Sequence, residues 1–265
     1  MGEKTILIIA ATSSDGCAGA LLDSVVAARF KLIPACAVTA VTAQNTRGVV
    51  GVHQVPPAEV KKQIDAVFSD LDVAAVKIGM LWSKKTALEV ARALGEWGAL
   101  NVVFDPVMSA QADGSKLVEE GSVDAFRAVA AISDIVTPNM EEIKALSGIS
   151  VKSEETACRA AWELMELGAQ SVMLKSYPWK KGWLADLVFT DEGFALFKKK
   201  RIASSSHGGG CLLSTTIACC MGRGMELLDS VSIAEAYVEN AIKKSVKVGR
   251  GIRAVNPYVW STTDQ

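Results

Sequence analysis

The sequence predicts an α/β protein with a mostly parallel central sheet, helices on both faces and an antiparallel hairpin at one edge in its C-terminal half. Short β-branched runs alternate with longer amphipathic segments, a pattern typical of βαβ units. Half of the 265 residues are apolar, enough for a sizeable core. Asp191-Glu192-Gly193 separates two apolar runs between Leu184 and Arg201, which indicates the hairpin. Because no repeat or linker interrupts the pattern, we expect a single domain over residues 1–265.

The alternation predicts six strands in the first 175 residues. They are Thr5–Ala10, Ala35–Val41, Ala74–Ile78, Asn101–Asp105, Asp134–Val136 and Ser171–Lys175. Amphipathic segments between and after them predict eight helices, which are Gly19–Phe30, Pro57–Asp70, Lys84–Trp97, Gly121–Ala131, Asn139–Leu146, Glu154–Leu167, Cys211–Met221 and Asp229–Val248. Since parallel crossovers are right-handed, these helices should cover both faces of the sheet.

Charge and hydropathy exclude several classes of partner. Lys plus Arg number 28 against 29 for Asp plus Glu, so no overall basic field attracts nucleic acid. The short basic run Lys198–Arg201 fits a solvated strand end better than a nucleic-acid patch. The start of the chain lacks a signal-peptide pattern, and the longest uncharged stretch, Leu32–Thr46, is too short to cross a membrane. We therefore expect a cytoplasmic protein that binds neither nucleic acid nor membrane, with reduced thiols.

A glycine-rich turn is the first candidate for a functional site. Gly208, Gly209 and Gly210 lead into the apolar helix predicted from Cys211. Glycines let a ligand approach the backbone, and the first amides of a helix suit a phosphate or a developing oxyanion. A cysteine at such a helix start has its thiolate favoured, so Cys211 is a candidate base or nucleophile. The alternative is a flexible loop before a core helix that carries an inert cysteine.

Polar and apolar residues at the predicted strand ends extend this site. Ligands of open α/β sheets bind at the carboxyl ends of the strands. Gln44 follows the second strand, where an amide can pair with the edge of a heterocycle, and Asp105 stands beside Met80 and Val107, which suit an aromatic ring. Lys175 ends another strand and can reach a phosphate. Turn formation, core packing and surface exposure remain the structural alternatives for these residues.

Asn139 and Glu142 admit two explanations. Asn139 precedes a predicted helix and Glu142 occupies its third position, which is the spacing of a capping box. The functional alternative places Glu142 near a metal-bound water. The sequence does not separate the two.

Five motifs occur in the order found in one enzyme family. They are TAQNT at 42–46, KIGML at 77–81, DPVM at 105–108, TPNMEE at 137–142 and HGGGC at 207–211. Together they resemble the hydroxymethylpyrimidine and phosphomethylpyrimidine kinases of thiamin biosynthesis, in the ribokinase-like superfamily, over nearly the whole chain. The resemblance implies a three-layer α/β/α fold, ATP and Mg²⁺ as cofactors, a small pyrimidine substrate and a homodimer.

On the substrate side, the resemblance implies that Asp23 and Gln44 hold the aminopyrimidine edge while Met80 and Val107 line its pocket. It places Cys211 next to the substrate hydroxymethyl group, where the residue would assist deprotonation of the attacking hydroxyl.

On the nucleotide side, the resemblance implies that Asp105 and Asn139 lie near ATP and that Glu142 lies near the metal. Lys175 would reach the phosphates. Gly208, Gly209, Gly210 and Cys211 would form an anion hole that faces the transferred γ-phosphate.

The chain departs from the family pattern mainly on the phosphate side. Ser13 stands at the family's aspartate, Gly209 stands at a threonine, serines at 204–206 replace an Asn-Thr pair, and Ser176 follows Lys175 where the family has glycine. A catalytically weak pyrimidine-binding or regulatory protein therefore stays open as an alternative. A pyridoxal-type kinase stays open as well, because both substrates present an aromatic ring with a hydroxymethyl arm. An acyl hydrolase is excluded because the chain lacks GxSxG, and a dinucleotide oxidoreductase because it lacks GxGxxG.

Overall fold

A nine-stranded sheet forms the centre of the protein in the computed structural model, which describes residues 3–202 and 206–259. Two of the serines ahead of the glycine turn, at 204 and 205, lie outside these residues. The strands of the large sheet are β1 (Thr5–Ser13), β2 (Ile33–Asn45), β3 (Gly48–Gln54), β4 (Val73–Ile78), β5 (Val102–Phe104), β6 (Ile135–Val136), β7 (Val172–Lys180), β8 (Trp183–Thr190) and β9 (Gly193–Lys200). A separate parallel pair consists of β10 (Ser206–His207) and β11 (Arg253–Ala254).

The strand order is β3-β2-β1-β4-β5-β6-β7-β8-β9. Strands β2, β1, β4, β5, β6 and β7 are parallel to one another, whereas β3 at one edge and β8 and β9 at the other are antiparallel to their neighbours. The mostly parallel α/β sheet is therefore confirmed. The predicted edge hairpin is confirmed as well, since β8 and β9 pair from Trp183 with Lys200 to Thr190 with Gly193.

Eight helices cover the sheet in the described part of the chain. They are α1 (Gly19–Arg29), α2 (Pro57–Phe68), α3 (Lys84–Trp97), α4 (Val123–Ala130), α5 (Met140–Ser147), α6 (Glu154–Glu166), α7 (Gly209–Gly222) and α8 (Leu227–Lys243). None of the helices in these residues has the length and apolarity needed to span a bilayer.

The helices divide between the two faces, which gives three layers. Leu7 and Ile9 of β1 pack into a core shared with α2 to α6, while Ile6 and Ile8 pack into a core shared with α1, α7 and α8. All four side chains are fully buried. Each such burial stabilises the fold by roughly 1.5–3 kcal/mol. Because β1 is buried on both faces, its sequence is a continuous apolar run.

The structure corrects the predicted loop at 42–46. Strand β2 continues to Asn45 and pairs with β3, so these residues lie in an antiparallel hairpin. Burial alternates along the segment, but the buried positions are Thr42, Gln44 and Thr46. Because the inward face of this strand is polar, its two-residue period does not appear in the hydrophobic pattern.

Several helix boundaries also differ from the prediction by one to five residues, and two of them lie near the cleft or the C-terminal strand pair. Helix α7 begins at Gly209 rather than Cys211, since consecutive glycines weaken a sequence-based helix assignment. Helix α8 ends at Lys243 rather than Val248, because Val246 exchanges two backbone hydrogen bonds with Ala254.

Candidate active site

A cleft of about 350 Å³ lies at the carboxyl ends of the parallel strands, against the start of α7. Ten of the twelve predicted site residues line it, namely Gln44, Met80, Asp105, Val107, Asn139, Glu142, Lys175, Gly208, Gly210 and Cys211. A second cavity of about 260 Å³ adjoins the cleft and is lined by Gly209. Four residues line both cavities and mark their junction, namely Gln111, Lys175, Ser176 and Gly210.

The start of α7 forms one wall of the cleft. Gly208 is the N-cap residue and adopts a left-handed conformation, with φ of 93° and no side-chain cap. A Cβ at Gly208 would lie 2.4 Å from the carbonyl oxygen of Cys17, so only glycine lets the turn after β1 pack here. The first bond of the helix runs from the Leu212 N–H to the Gly208 oxygen. The N–H groups of residues 209 to 211 therefore come before the first hydrogen bond within the helix. Such N–H groups favour the binding of an anion at this end of α7.

Lys175 and Asp105 form an ion pair beside this helix start. Their Nζ and Oδ1 atoms are 2.6 Å apart, and Asp105 also lies 3.5 Å from the hydroxyl of Thr137. A Cβ at Gly210 would meet Asp105 Oδ2 at 3.4 Å and Lys175 Nζ at 3.6 Å. Burial lowers the pKa of Lys175, but attraction from Asp105 and Glu142 raises it above its ordinary value. The lysine is therefore a fixed positive charge against the helix start.

Asn139 and Glu142 form the capping box that the sequence offered as one of two explanations. The Asn139 side chain accepts hydrogen bonds from the N–H groups of Glu141 and Glu142, and Glu142 Oε2 accepts one from the Asn139 N–H at 2.8 Å. The capping box is therefore present, and both residues also line the cleft. Burial raises the pKa of Glu142 to about 7, although Lys175 opposes the shift.

The expected activation of Cys211 is wrong for this structure. Burial raises the pKa of its thiol to about 11, and the nearby Lys77 only partly offsets the effect. Water is excluded more completely than the start of a helix can compensate. At neutral pH the side chain is thus an uncharged thiol in the wall of the cleft.

Asp23 does not reach the cleft, which corrects its predicted contact with the substrate. Its carboxylate is fully buried beneath the cleft, where Oδ2 lies 2.6 Å from Lys77 Nζ and Oδ1 accepts a hydrogen bond from Thr215 at 2.7 Å. Burial lowers the pKa of Lys77, but Asp23 more than reverses this and raises it. A carboxylate held by two partners inside the core is a structural anchor.

One side of the cleft combines an amide with apolar walls. Gln44 and Met80 line it and are almost completely buried, and Val107 lines it from the loop after β5. The Gln44 amide nitrogen lies 2.7 Å from His207 Nε2. An amide between apolar walls suits a flat heterocycle with polar edges.

Sequence reasoning missed several residues that line the cleft, among them Lys77, His207 and Ser176. Lys77 gave a usable signal, because a lysine inside the apolar run 74–81 needs a buried partner. Ser176 adopts a left-handed conformation with φ of 59°, which the family's glycine adopts without strain. The contact between His207 and Gln44 joins residues 163 positions apart and left no local signal.

The protein shares its fold with crystal structures of phosphomethylpyrimidine kinase and pyridoxal kinase. A crystal structure of phosphomethylpyrimidine kinase from Clostridium difficile 630 superposes with a TM-score of 0.79 at 28% identity, over 91% of this chain and all of that one. Bacillus subtilis pyridoxal kinase superposes with a TM-score of 0.85 at 24% identity, over 97% of each chain, and shows the fold alone. The sequence model of the phosphomethylpyrimidine kinase family matches residues 13–256, and the chain belongs to that family.

Curated relatives agree with this assignment. The hydroxymethylpyrimidine/phosphomethylpyrimidine kinase of Aquifex aeolicus is 33% identical over 92% of this chain and 96% of its own length. That of Rhizobium meliloti is 36% identical over 95% and 96%. The thiamine biosynthesis bifunctional protein ThiED of Geobacter sulfurreducens is 38% identical over 95% of this chain, which spans only 52% of that longer protein.

Proposed function

We propose that the protein transfers the γ-phosphoryl group of ATP to the hydroxymethyl oxygen of 4-amino-5-hydroxymethyl-2-methylpyrimidine, to the phosphate of that compound's monophosphate, or to both in turn. One observation carries the proposal, namely that a single cleft joins an amide-lined apolar wall to an anion-binding helix start. The relatives that match over almost their whole length are named kinases of these compounds. We propose that one domain carries the activity, since the helices on both faces pack against the same nine-stranded sheet.

The pyrimidine would lie between Met80 and Val107 with its polar edge at the Gln44 amide. Its hydroxymethyl arm would then point toward Cys211 and the start of α7. Because the Cys211 thiol is uncharged at neutral pH, we propose that it acts as a hydrogen-bonding partner of the attacking hydroxyl. This role suits phosphoryl transfer, which depends on positioning and charge stabilisation more than on a strong base.

ATP would occupy the adjoining cavity and extend its phosphates across the junction of the two cavities. Lys175 and Gly210 line both cavities and lie beside the first amides of α7. The lysine charge and these N–H groups would hold the γ-phosphate and stabilise charge as its bond to ADP breaks. Removing one preorganised donor of this kind typically costs ~10²–10³ in rate.

The acidic residues fit a magnesium ion completed by phosphate and water. Among the described residues, no group of three or more His, Cys, Asp or Glu side chains could enclose a metal. Mg²⁺ is commonly held by one or two carboxylates together with nucleotide phosphates. Glu142 is the carboxylate we propose for it, with Asp105 nearby, and the ion would neutralise phosphate charge when bound.

Location and assembly are proposals of the same kind. We propose a homodimer, as the family resemblance implies, located in the cytoplasm. We also propose that it has no affinity for nucleic acid, because its charges balance. Light scattering of the purified protein measures the oligomeric state, and cell fractionation measures the location.

ADP release from Mg-ATP tests the function. The purified protein is assayed with hydroxymethylpyrimidine, its monophosphate and pyridoxal separately, with calorimetric binding of each compound. Turnover of either pyrimidine is the expected result. Turnover of pyridoxal alone would favour the pyridoxal-type alternative, while tight pyrimidine binding without turnover would favour a binding or regulatory protein.

A further inference from the structure

His207 and Gln44 form a buried polar pair in the wall of the cleft. Their Nε2 atoms are 2.7 Å apart, and both residues are less than one-tenth exposed. The backbone of Gln44 is fixed by Ser14, whose Oγ accepts from its N–H at 2.9 Å and donates to its oxygen at 2.7 Å. The backbone of His207 is fixed by β11 and by the N–H of Val255. The freedom that remains to the Gln44 amide is rotation that exchanges its oxygen and nitrogen.

The tautomer and the protonation of His207 together decide which end of that amide faces the ring. Burial lowers the pKa of His207, with Asp15 opposing the shift, so the imidazole is neutral at neutral pH. A neutral ring with its lone pair on Nε2 accepts one N–H of the Gln44 amide. The amide oxygen lies 3.5 Å from the Thr42 hydroxyl and keeps a second lone pair for a ligand, and the second N–H of the amide is directed at the ligand as well. A protonated ring donates from Nε2 instead and draws the amide oxygen toward itself.

The ligand edge that complements the first orientation is an exocyclic amine beside a ring nitrogen. The amine donates to the amide oxygen, while the ring nitrogen accepts the second N–H. A ring with a carbonyl beside a ring N–H presents an acceptor where the first ligand has a donor, and a donor where the first ligand has an acceptor. Leaving one buried pair mismatched costs about 1–3 kcal/mol, which corresponds to roughly fivefold to 150-fold in affinity.

We propose that His207 is a positioning residue that holds the Gln44 amide in the orientation selecting an exocyclic amine next to a ring nitrogen. The inference rests on the proposed function, because it assigns the selectivity of the same cleft. It gives His207 a role distinct from that of the glycines that follow it.

Several titratable or charged groups lie on the elements packed against His207. They are Asp15 and Cys17 in the turn after β1, Arg253 on β11 and Cys211 on α7. Asp15 Oδ2 is 3.9 Å from His207 Nε2, and the Arg253 guanidinium hydrogen-bonds to the segment after α8. The Cys17 and Cys211 thiols have pKa values raised by burial and stay uncharged at neutral pH. Asp15 is thus the group placed to favour protonation of His207 in acid.

The test compares the 4-amino pyrimidine with its 4-oxo counterpart, both carrying the hydroxymethyl arm. The measured quantity is the ratio of their kcat/KM values. In His207→Phe the preference for the amine should fall at least about tenfold, mainly through KM. His207→Asn, whose side-chain oxygen can still accept the amide N–H, should restore part of it. His53→Phe changes the exposed histidine of β3 and should leave the ratio as it is in the unaltered protein.

A second arm uses the unaltered protein, so its result does not depend on the folding of a variant. Lowering the pH from about 8 until the ring resonances of His207 show that it is protonated should raise KM for the 4-amino compound more than KM for the 4-oxo compound. Failure of the unaltered protein to phosphorylate or bind the 4-amino compound would refute the proposed function itself. Normal turnover with a ratio unchanged by both pH and folded His207→Phe would overturn only the role of His207.

Discussion

Replacing Lys77 by methionine should destabilise the protein strongly, because it leaves Asp23 as a buried charge without its counter-ion. Both side chains are 0% exposed and their charged atoms are 2.6 Å apart. After the change, Asp23 retains the hydrogen bond from Thr215. Removing one partner of a buried ion pair typically costs ~3–5 kcal/mol of unfolding free energy.

Urea unfolding at neutral pH measures this cost. With a urea dependence of about 3 kcal/mol per molar, a loss of ~4 kcal/mol lowers the midpoint by roughly 1 M. The double variant Lys77→Met with Asp23→Asn removes both charges and keeps an acceptor for Thr215. It should therefore lose less than the sum of the two single changes, by about 2 kcal/mol or more.

Lys62→Met is the matched control, since Lys62 pairs with Glu59 on the surface of α2, where both side chains are exposed. Exposed pairs contribute little, so this midpoint should stay close to that of the unaltered protein. If Lys77→Met shifted the midpoint no more than Lys62→Met does, the assignment of Asp23 and Lys77 as a structural anchor would be refuted. An effect of Asp23→Asn confined to KM would restore Asp23 as a substrate ligand.

Three further predictions concern the cleft. Cys211→Ala should lower kcat by about 10–100-fold with little loss of pyrimidine binding, whereas Gln44→Ala should weaken pyrimidine binding. Initial rates measure kcat and calorimetry measures binding. The reverse pattern would exchange the roles assigned to the two residues. Lys175→Met should reduce kcat/KM at least about 100-fold, because it removes the charge beside the helix start and leaves Asp105 without its buried partner. Recovery of most activity in Lys175→Arg would show that a positive charge at this position suffices. Glu142 has a pKa of about 7 in the folded protein, above its value in an unfolded chain, so without nucleotide or metal the unfolding free energy should fall as the pH rises from about 5 to about 8. Glu142→Gln should flatten that dependence in urea titrations, and an unchanged slope would contradict the assignment.

The sequence predicted most of the fold because the parallel strands are apolar on both faces. Alternating apolar strands and amphipathic helices located β1, β4, β5 and β7, and the turn at 191–193 located the edge hairpin. The hairpin of β2 and β3 escaped because its buried face is polar at Thr42, Gln44 and Thr46. The inward face of this strand is polar because it lines the cleft. The alternation of apolar and polar residues therefore does not predict the strand next to the cleft.

Most of the candidate site was also within reach of the sequence. The carboxyl ends of parallel strands converge, and residues such as Asp105 and Lys175 that follow different strands therefore meet at one edge. The glycines at the start of α7 were informative for a local reason. The start of a helix, and with it the first N–H groups that lack partners within the helix, can be predicted from neighbouring residues alone.

Burial and long-range pairing were decided only by the tertiary structure. The sequence shows that Cys211 lies near a helix start, but the surrounding atoms that exclude water raise its pKa to about 11. It shows an aspartate at 23, but not that Lys77 withdraws it from the cleft. It shows His207 and Gln44, but not that their side chains touch. Local conformation follows from neighbouring residues, whereas desolvation and charge pairing depend on which distant residues fold against each other.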